Sequence, residues 1–154
     1  MKTILIIVLA GTTSWFGLAQ SPQDEELVRK VVLSFQDDFN EGGFRNAIEY
    51  TTSDWEHLNP LGGISKGRDK VLEEVRAVHQ TFLKGVTMTI EQMTIRFITT
   101  DVALVNVIHK MSIYEMPKGT WNEDEKHVKT YVVVKQDGKW LLTHDQNTIM
   151  AKEQ

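Results

Sequence analysis

KTYVVVKQDGKWLLTHDQNT, residues 129–148, predicts two long β-strands joined by a tight turn. The turn falls at Asp137-Gly138, because glycine tolerates positive φ and aspartate tolerates it better than most residues. A β-branched run precedes the turn, and Trp140 and Leu142 follow it at a spacing of two. The second strand changes from apolar to polar at His144. We interpret this change as a strand that leaves a packed core for the mouth of a cavity.

The 154-residue chain suits a single domain, preceded by a predicted export signal. The N-terminal segment has the pattern of a secretory signal: a lysine, an apolar run at residues 4–10, and small residues at Gly17 and Ala19. We expect cleavage after Ala19, which leaves residues 20–154 as the domain and makes the protein periplasmic or secreted. The apolar run is shorter than the roughly 20 residues of a membrane span. An uncleaved anchor is the alternative.

The charge and the absence of cysteine exclude several classes of partner. The full chain has a formal net charge of −4, and loss of Lys2 with the signal makes it one unit more negative. Without a long basic run, nucleic acid and anionic membrane surfaces are poor partners. The chain has no cysteine, so it has neither a thiol nucleophile nor a thiolate metal site.

Three helices are predicted before the sheet. The first begins at Ser21-Pro22 and ends at residues 40–43, with an apolar residue every fourth position. The second runs from Phe44 to about Thr51. The third follows residues 67–69 and runs to Lys84, and His79 lies on or beside its buried stripe.

The strands follow in two groups. Short strands are predicted at residues 54–60 and 64–66, and long strands at 86–98, with a bulge near Gln92-Met93, at 102–114 and in the end hairpin. This order predicts an α+β fold, with the helices on one face of a curved antiparallel sheet of about four long strands and short edge strands. In two of these strands the side chains on both sides of the strand are apolar, so both faces of the sheet should be covered. We therefore predict a homodimer through the sheet.

Several short motifs occur in an order that resembles a known family. They are Phe39-Asn40-Glu41-Gly42, Asp54 opening a strand, Pro60-Leu61-Gly62, Lys66-Gly67-Arg68-Asp69, His79, Asp101-Val102-Ala103, Asp137-Gly138-Lys139-Trp140 and Gln146-Asn147-Thr148. Together they resemble the SnoaL-like branch of the nuclear transport factor 2-like superfamily, which shares its fold with ketosteroid isomerases. The resemblance implies a cone-shaped α+β barrel with a pocket at its wide end. The superfamily includes isomerases, dehydratases, cyclases, epoxide hydrolases and members without known activity, so the fold leaves the function open.

His79 is the most suggestive single residue. On the inner side of the third helix it would point into the pocket and act as a general base or hydrogen-bond donor. The alternative is a core histidine where the helix meets the sheet.

The polar strand end at residues 144–147 gives a second group of candidates. If Trp140 faces the helices, His144 and Gln146 share its face, because side chains repeat every two residues. Asp145 and Asn147 then point outward unless a bulge shifts the phase. An Asp near this end is the base in SnoaL-like cyclases, so the resemblance implies that role for Asp145. The alternative is a solvated strand end.

The short strand and one tyrosine complete the predicted site. His57 and Asn59 share a phase with Trp55 and would line the pocket or form an exposed edge. Tyr131 would stabilise an oxyanion, as a Tyr does in ketosteroid isomerases, or pack within its strand. The predicted ligand-binding set is Phe35, Trp55, His57, Asn59, His79, Tyr131, His144, Gln146 and Asn147. The candidate catalytic residues are His79, His144 and Asp145.

No cofactor or metal is predicted. Five histidines are present, but no pair has the short helical spacing of a zinc motif. The leading hypothesis is an exported domain that binds a small apolar or partly polar molecule in a conical pocket. The alternatives are an isomerase, dehydratase or cyclase that uses a pocket histidine, and a dimeric interaction module with a vestigial pocket. Whether the protein is an enzyme stays open at this point.

Overall fold

The computed structural model describes residues 21–151 of the chain. The predicted signal at residues 1–19 therefore lies outside the described residues. Within them, three α-helices pack on one six-stranded sheet, and a two-stranded hairpin stands beside it. The α+β prediction is confirmed. No helix in this part of the chain is long and apolar enough to cross a membrane.

The helices are α1 (Pro22–Glu41), α2 (Ala47–Tyr50) and α3 (Arg68–His79). Ser21 caps α1 by accepting a hydrogen bond from the Asp24 backbone, and Gly42 ends the helix in a left-handed conformation. Val28, Val32 and Phe35 form the buried face of α1. Helix α3 ends at His79, five residues earlier than the predicted end at Lys84, and turns continue to Gly85.

The strands are β1 (Thr51–Leu58), β2 (Ile64–Lys66), β3 (Met88–Thr99), β4 (Val102–Met111), β5 (Tyr114–Glu115), β6 (Trp121–Asn122), β7 (Lys126–Gln136) and β8 (Lys139–Ile149). The main sheet has the order β2-β1-β8-β7-β4-β3, and β5 pairs only with β6. The predicted turn at Asp137-Gly138 is confirmed, since both residues have positive φ. The sheet is open, with β2 and β3 at its edges.

The four long strands β3, β4, β7 and β8 pair antiparallel, as predicted. The whole sheet is nevertheless mixed, because the short strand β1 pairs with β8 in parallel. A parallel pair cannot be joined by a tight turn, and here α3 and the three long strands β3, β4 and β7 lie between β1 and β8 in the chain. The pairing places His57 beside Asp145 in register, which decides the arrangement of the site.

Candidate functional site

A cavity of about 320 Å³ lies between the helices and the inner face of the sheet. Its wall is mainly aromatic and aliphatic: Phe35, Phe39, Phe44, Val75, Val78, Phe82, Leu83, Met88, Met111, Met116 and Ile149. Polar side chains interrupt this wall: His57, Asn59, Glu74, His79, His109, Glu125, His127, Lys129 and Asn147. Tyr114 and Asn122, from the β5–β6 hairpin, close one side.

Asp145 is the centre of a buried polar cluster at this wall. Its carboxylate is fully buried and accepts three hydrogen bonds. The Trp55 indole donates at 2.7 Å, the His57 Nδ1–H at 2.7 Å and the Lys129 ammonium at 2.8 Å. Burial alone would raise the pKa of Asp145, but the Lys129 charge and the hydrogen bonds from His57 and Lys129 outweigh burial and hold that pKa well below its usual range. Asp145 is therefore ionised at neutral pH.

The predicted facing of the side chains at the polar end of β8 is wrong. Asp145 faces inward, and His144 and Gln146 lie on the opposite face of the sheet. The reason is a bulge in β8, where Val132 pairs with His144 and Val133 pairs with Leu142, so that Thr143 is an extra residue. One inserted residue shifts the alternation by one position, which exchanges the two faces beyond it.

Lys129 is the cation of this cluster. Its side chain is almost fully buried, and its Nζ lies 3.9 Å from the centre of the Phe35 ring. Burial lowers the pKa of Lys129, and the Asp145 carboxylate opposes that change. Contacts with the carboxylate and with the aromatic face together offset the free-energy cost of removing the ammonium group from water.

His57 presents one ring nitrogen to the cavity. Its Nδ1–H donates to an ionised carboxylate, so Nε2 is the unprotonated nitrogen of the neutral ring. No side chain in the described part of the protein donates a hydrogen bond to that Nε2, and it is not a buried unsatisfied atom. Nearby, Glu74 accepts hydrogen bonds from Ser65 and Asn59. Burial would raise the pKa of Glu74, but these hydrogen bonds and His57 lower it.

Tyr131, which lies behind the cavity wall, and His109, which is part of that wall, form a second buried contact. The Tyr131 hydroxyl lies 2.8 Å from His109 Nε2. Burial raises the pKa of Tyr131, with Asp145 adding to the effect, so the phenol keeps its proton and can donate it to the imidazole. Burial and the Lys129 and His127 charges lower the pKa of His109 to about 3.

Another polar cluster lies at the other end of the wall. Glu125 accepts hydrogen bonds from the Tyr114 hydroxyl and, at 2.6 Å, from His127 Nε2. The remaining nitrogen of His127 contacts the Asn147 amide at 2.9 Å. Burial raises the pKa of Tyr114, and Glu125 adds to the rise. Both nitrogens of His127 are therefore engaged, unlike those of His57.

His79 lines the cavity but is held by the helices. Its Nδ1–H donates to the Val75 carbonyl at 2.7 Å, and its ring packs edge-on against Phe39 and Phe44. Burial lowers the pKa of His79, and the Val75 and Phe39 carbonyls oppose that change. Its Nε2 has no partner and is buried. These contacts favour the core-histidine interpretation over that of a general base.

The predicted ligand-binding residues fall into three groups. Phe35, His57, Asn59, His79 and Asn147 line the cavity. Trp55 and Tyr131 lie fully buried in the layer behind them. The predicted positions of His144 and Gln146 in the pocket are wrong, because the bulge at Thr143 places both side chains on the outer face of the sheet.

Sequence reasoning missed five polar residues of the wall: Glu74, His109, Glu125, His127 and Lys129. A strand lysine such as Lys129, between Val128 and Thr130, normally indicates a solvated face. Its spacing of two from the inward-facing Tyr131 was the one signal that it is buried. Among residues 21–151, no cluster of three or more His, Cys, Asp or Glu side chains is arranged to hold a metal ion.

No family model and no curated protein matches this sequence. Solved structures do match it. An uncharacterised Caulobacter vibrioides protein with a cystatin-like fold has a TM-score of 0.78 and 21% identity over 84% of this chain and 91% of its own. A Novosphingobium aromaticivorans protein provisionally called a scytalone dehydratase has a TM-score of 0.66 and 16% identity over 84% and 85%.

A third solved structure comes from Shewanella frigidimarina and is provisionally called a ketosteroid isomerase. It has a TM-score of 0.65 and 20% identity over 79% of this chain and 94% of its own. These similarities, with the helices packed on an open mixed sheet, show that this chain has the nuclear transport factor 2-like fold. At these identities the likeness concerns the fold alone.

Proposed function

We propose that this protein is an exported domain that binds a small, largely apolar molecule in the cavity between its helices and its sheet. The observation that carries the proposal is the composition of the cavity wall. Aromatic and aliphatic side chains surround a few fixed polar groups, the usual make-up of a small-molecule site. An interaction module with a vestigial pocket would fill this space with large side chains, whereas about 320 Å³ is left open.

An acid–base enzyme is the second candidate. The observation that favours it is the buried His57–Asp145 pair, in which a carboxylate orients an imidazole whose other nitrogen is left without a protein donor. The provisional names of two solved relatives, a dehydratase and an isomerase, belong to the same broad class of proton-transfer chemistry.

The ligand is tested by native mass spectrometry on protein purified from its exported compartment, followed by mild denaturation to release bound molecules. Val78 lines the cavity, and Ala77 is the exposed neighbour on the same helix. We expect a released molecule from wild type and from Ala77→Trp, and much less from Val78→Trp, whose indole occupies part of the cavity. Empty wild-type protein, or equal release from Val78→Trp, would contradict the proposal.

We also propose that the protein is a homodimer through the outer face of the sheet. Leu104, Val132 and His144 form one row across β4, β7 and β8 on that face, and all three are partly exposed. Val102, Val134 and Leu141 form the next row. A half-exposed apolar surface of this kind is stabilised by a second copy that covers it.

A further inference from the structure

We propose that the molecule bound in the cavity is an apolar amine, and that its ammonium group contacts a free carboxylate oxygen of Glu125. This inference rests on the proposed function, since it names the chemical class of the ligand of that cavity. It concerns the end of the cavity wall that lies away from the buried Asp145 cluster. The ligand it implies is a protonated amine attached to a hydrocarbon skeleton.

Glu125 has one carboxylate oxygen without a protein donor. The Tyr114 hydroxyl and His127 Nε2 both contact Oε1. Within residues 21–151, no group donates a hydrogen bond to Oε2, yet Oε2 is not a buried unsatisfied atom. Glu125 is 8% exposed and lines the cavity. Its Oε2 is therefore open to a molecule bound there.

The other contacts of Glu125 hold its carboxylate in place. Its backbone carbonyl accepts a hydrogen bond from the Met111 amide at 2.9 Å. The Asn147 amide donates to His127 Nδ1 at 2.9 Å, so the hydrogen of the neutral imidazole lies on Nε2 and points at Glu125. Tyr114 of β5 and His127 of β7 thus fix Oε1 from two strands. A binding group that is already ordered loses little freedom when a ligand binds.

No lysine or arginine in the described part of the chain forms an ion pair with Glu125. Its one such contact is His127, which is charged only if it takes a second proton. A buried carboxylate without a cation is costly in free energy, because the water that would solvate it is excluded. A ligand ammonium at Oε2 supplies both the missing charge and a hydrogen-bond donor, and charge-assisted hydrogen bonds are the strong ones.

The cation already at the cavity wall is paired elsewhere. Lys129 Nζ lies 2.8 Å from Asp145, and four residues of extended chain separate Lys129 from Glu125, roughly 13 Å. Glu74, the second carboxylate of the wall, accepts hydrogen bonds only from neutral side chains. With neutral histidines, the wall therefore carries an excess of negative charge, which favours a cationic ligand.

The apolar part of the wall suits the rest of such a molecule. Phe39, Phe44, Phe82 and Tyr114 line the same cavity, and aromatic faces attract ammonium groups as well as hydrocarbon. The hydroxyl contact of Tyr114 places its ring beside Glu125. A cavity of about 320 Å³ is at the small end of the usual range for ligand pockets, which limits the skeleton to one or two rings.

Three indanes of nearly the same size test the charge of the ligand. They are 2-aminoindane, a cation at neutral pH, 2-indanol, a neutral hydrogen-bond donor, and indane-2-carboxylate, an anion. Their dissociation constants are measured by isothermal titration calorimetry on the whole protein. We expect the amine to bind about tenfold or more tightly than the alcohol, and the carboxylate to bind most weakly.

Two matched variants test the role of Glu125. Glu125→Gln keeps an oxygen for Tyr114 and His127 but removes the charge, so it should weaken binding of the amine about tenfold and leave 2-indanol unchanged. Glu123→Gln removes the same charge at an exposed position two residues earlier. That control should bind all three indanes like wild type.

The outcomes separate this inference from the proposed function. Equal binding of the amine and the alcohol, tighter binding of the carboxylate, or an unchanged amine affinity in Glu125→Gln overturns the inference and leaves the binding function standing. Native mass spectrometry needs no variant: a released molecule without a basic nitrogen contradicts the amine and supports the proposed function. Failure of all three indanes to bind overturns the inference, and together with empty protein it overturns both.

Discussion

The Nδ1 of His57 lies 2.7 Å from Oδ2 of Asp145, across a separation of 88 residues in the chain. This contact joins β1 to β8 on the inner face of the sheet. Because Lys129 of β7 contacts the same oxygen, three neighbouring strands meet at one buried carboxylate. The fold and the candidate site therefore depend on the same side chains.

Loss of Asp145 should destabilise the fold strongly. In Asp145→Asn the Lys129 ammonium stays buried without its counter-charge, and breaking such a pair destabilises a protein by about 3–5 kcal/mol. Lys129→Met leaves Asp145 with its two neutral donors and should also be destabilising. The free energy of unfolding, measured with guanidinium chloride, checks both variants.

The double variant isolates the interaction between these two residues. With both charges removed, no unpaired charge remains, so the loss in Asp145→Asn/Lys129→Met should be smaller than the two single losses together. Strict additivity would mean that the two groups do not interact in solution.

A side chain at Gly42 is expected to destabilise the fold through backbone strain and through contact with His79. Its φ is +73°, and a Cβ there would lie 3.3 Å from Cδ2 of His79. Gly62 is the control, because its φ is +86° but a Cβ would meet nothing within 4 Å. Gly62→Ala should cost about 1 kcal/mol of stability from backbone strain alone, and Gly42→Ala more. Equal losses in thermal unfolding would show that His79 moves aside freely.

The dimer prediction is tested on the outer face of the sheet. Light scattering at micromolar concentration should give twice the mass of the chain for wild type, and the mass of one chain for Leu104→Glu, which places a charge in the proposed interface. Leu33→Glu makes the same change on the exposed side of α1 and should remain dimeric. A monomeric wild-type protein would rule out the dimer.

The fold could be predicted because its signals are local. The Asp137-Gly138 turn, the α1 cap at Ser21 and the periodicity of the helices each depend on residues close in sequence. The parallel pairing of β1 with β8 left no comparable signal, since it joins segments about 90 residues apart.

The site was predicted less well because one residue decides it. Thr143 is an ordinary strand residue, and nothing in its sequence neighbourhood marks it as a bulge, yet its insertion turns Asp145 inward and His144 outward. The buried state of Lys129 was hidden for a related reason. Asp145 can be recognised as the partner of Lys129 only when it is known which side chains of β8 face inward.

His109 should make the fold sensitive to mild acid. Its pKa is about 3 in the folded protein, against about 6.5 in an unfolded chain, so the unfolded state binds the extra proton between these values. Above pH 6.5 the neutral His109 does not lower the free energy of unfolding. As the pH falls from 6.5 toward 3, that free energy falls by about 1.4 kcal/mol per pH unit. His109→Gln does not titrate, while its amide oxygen still accepts from Tyr131. Guanidinium unfolding at pH 6 and pH 4.5 should therefore show a loss about 2 kcal/mol larger in wild type than in His109→Gln. Identical losses would mean that His109 accepts a proton in the folded state, and that the Lys129 charge beside it is screened or absent.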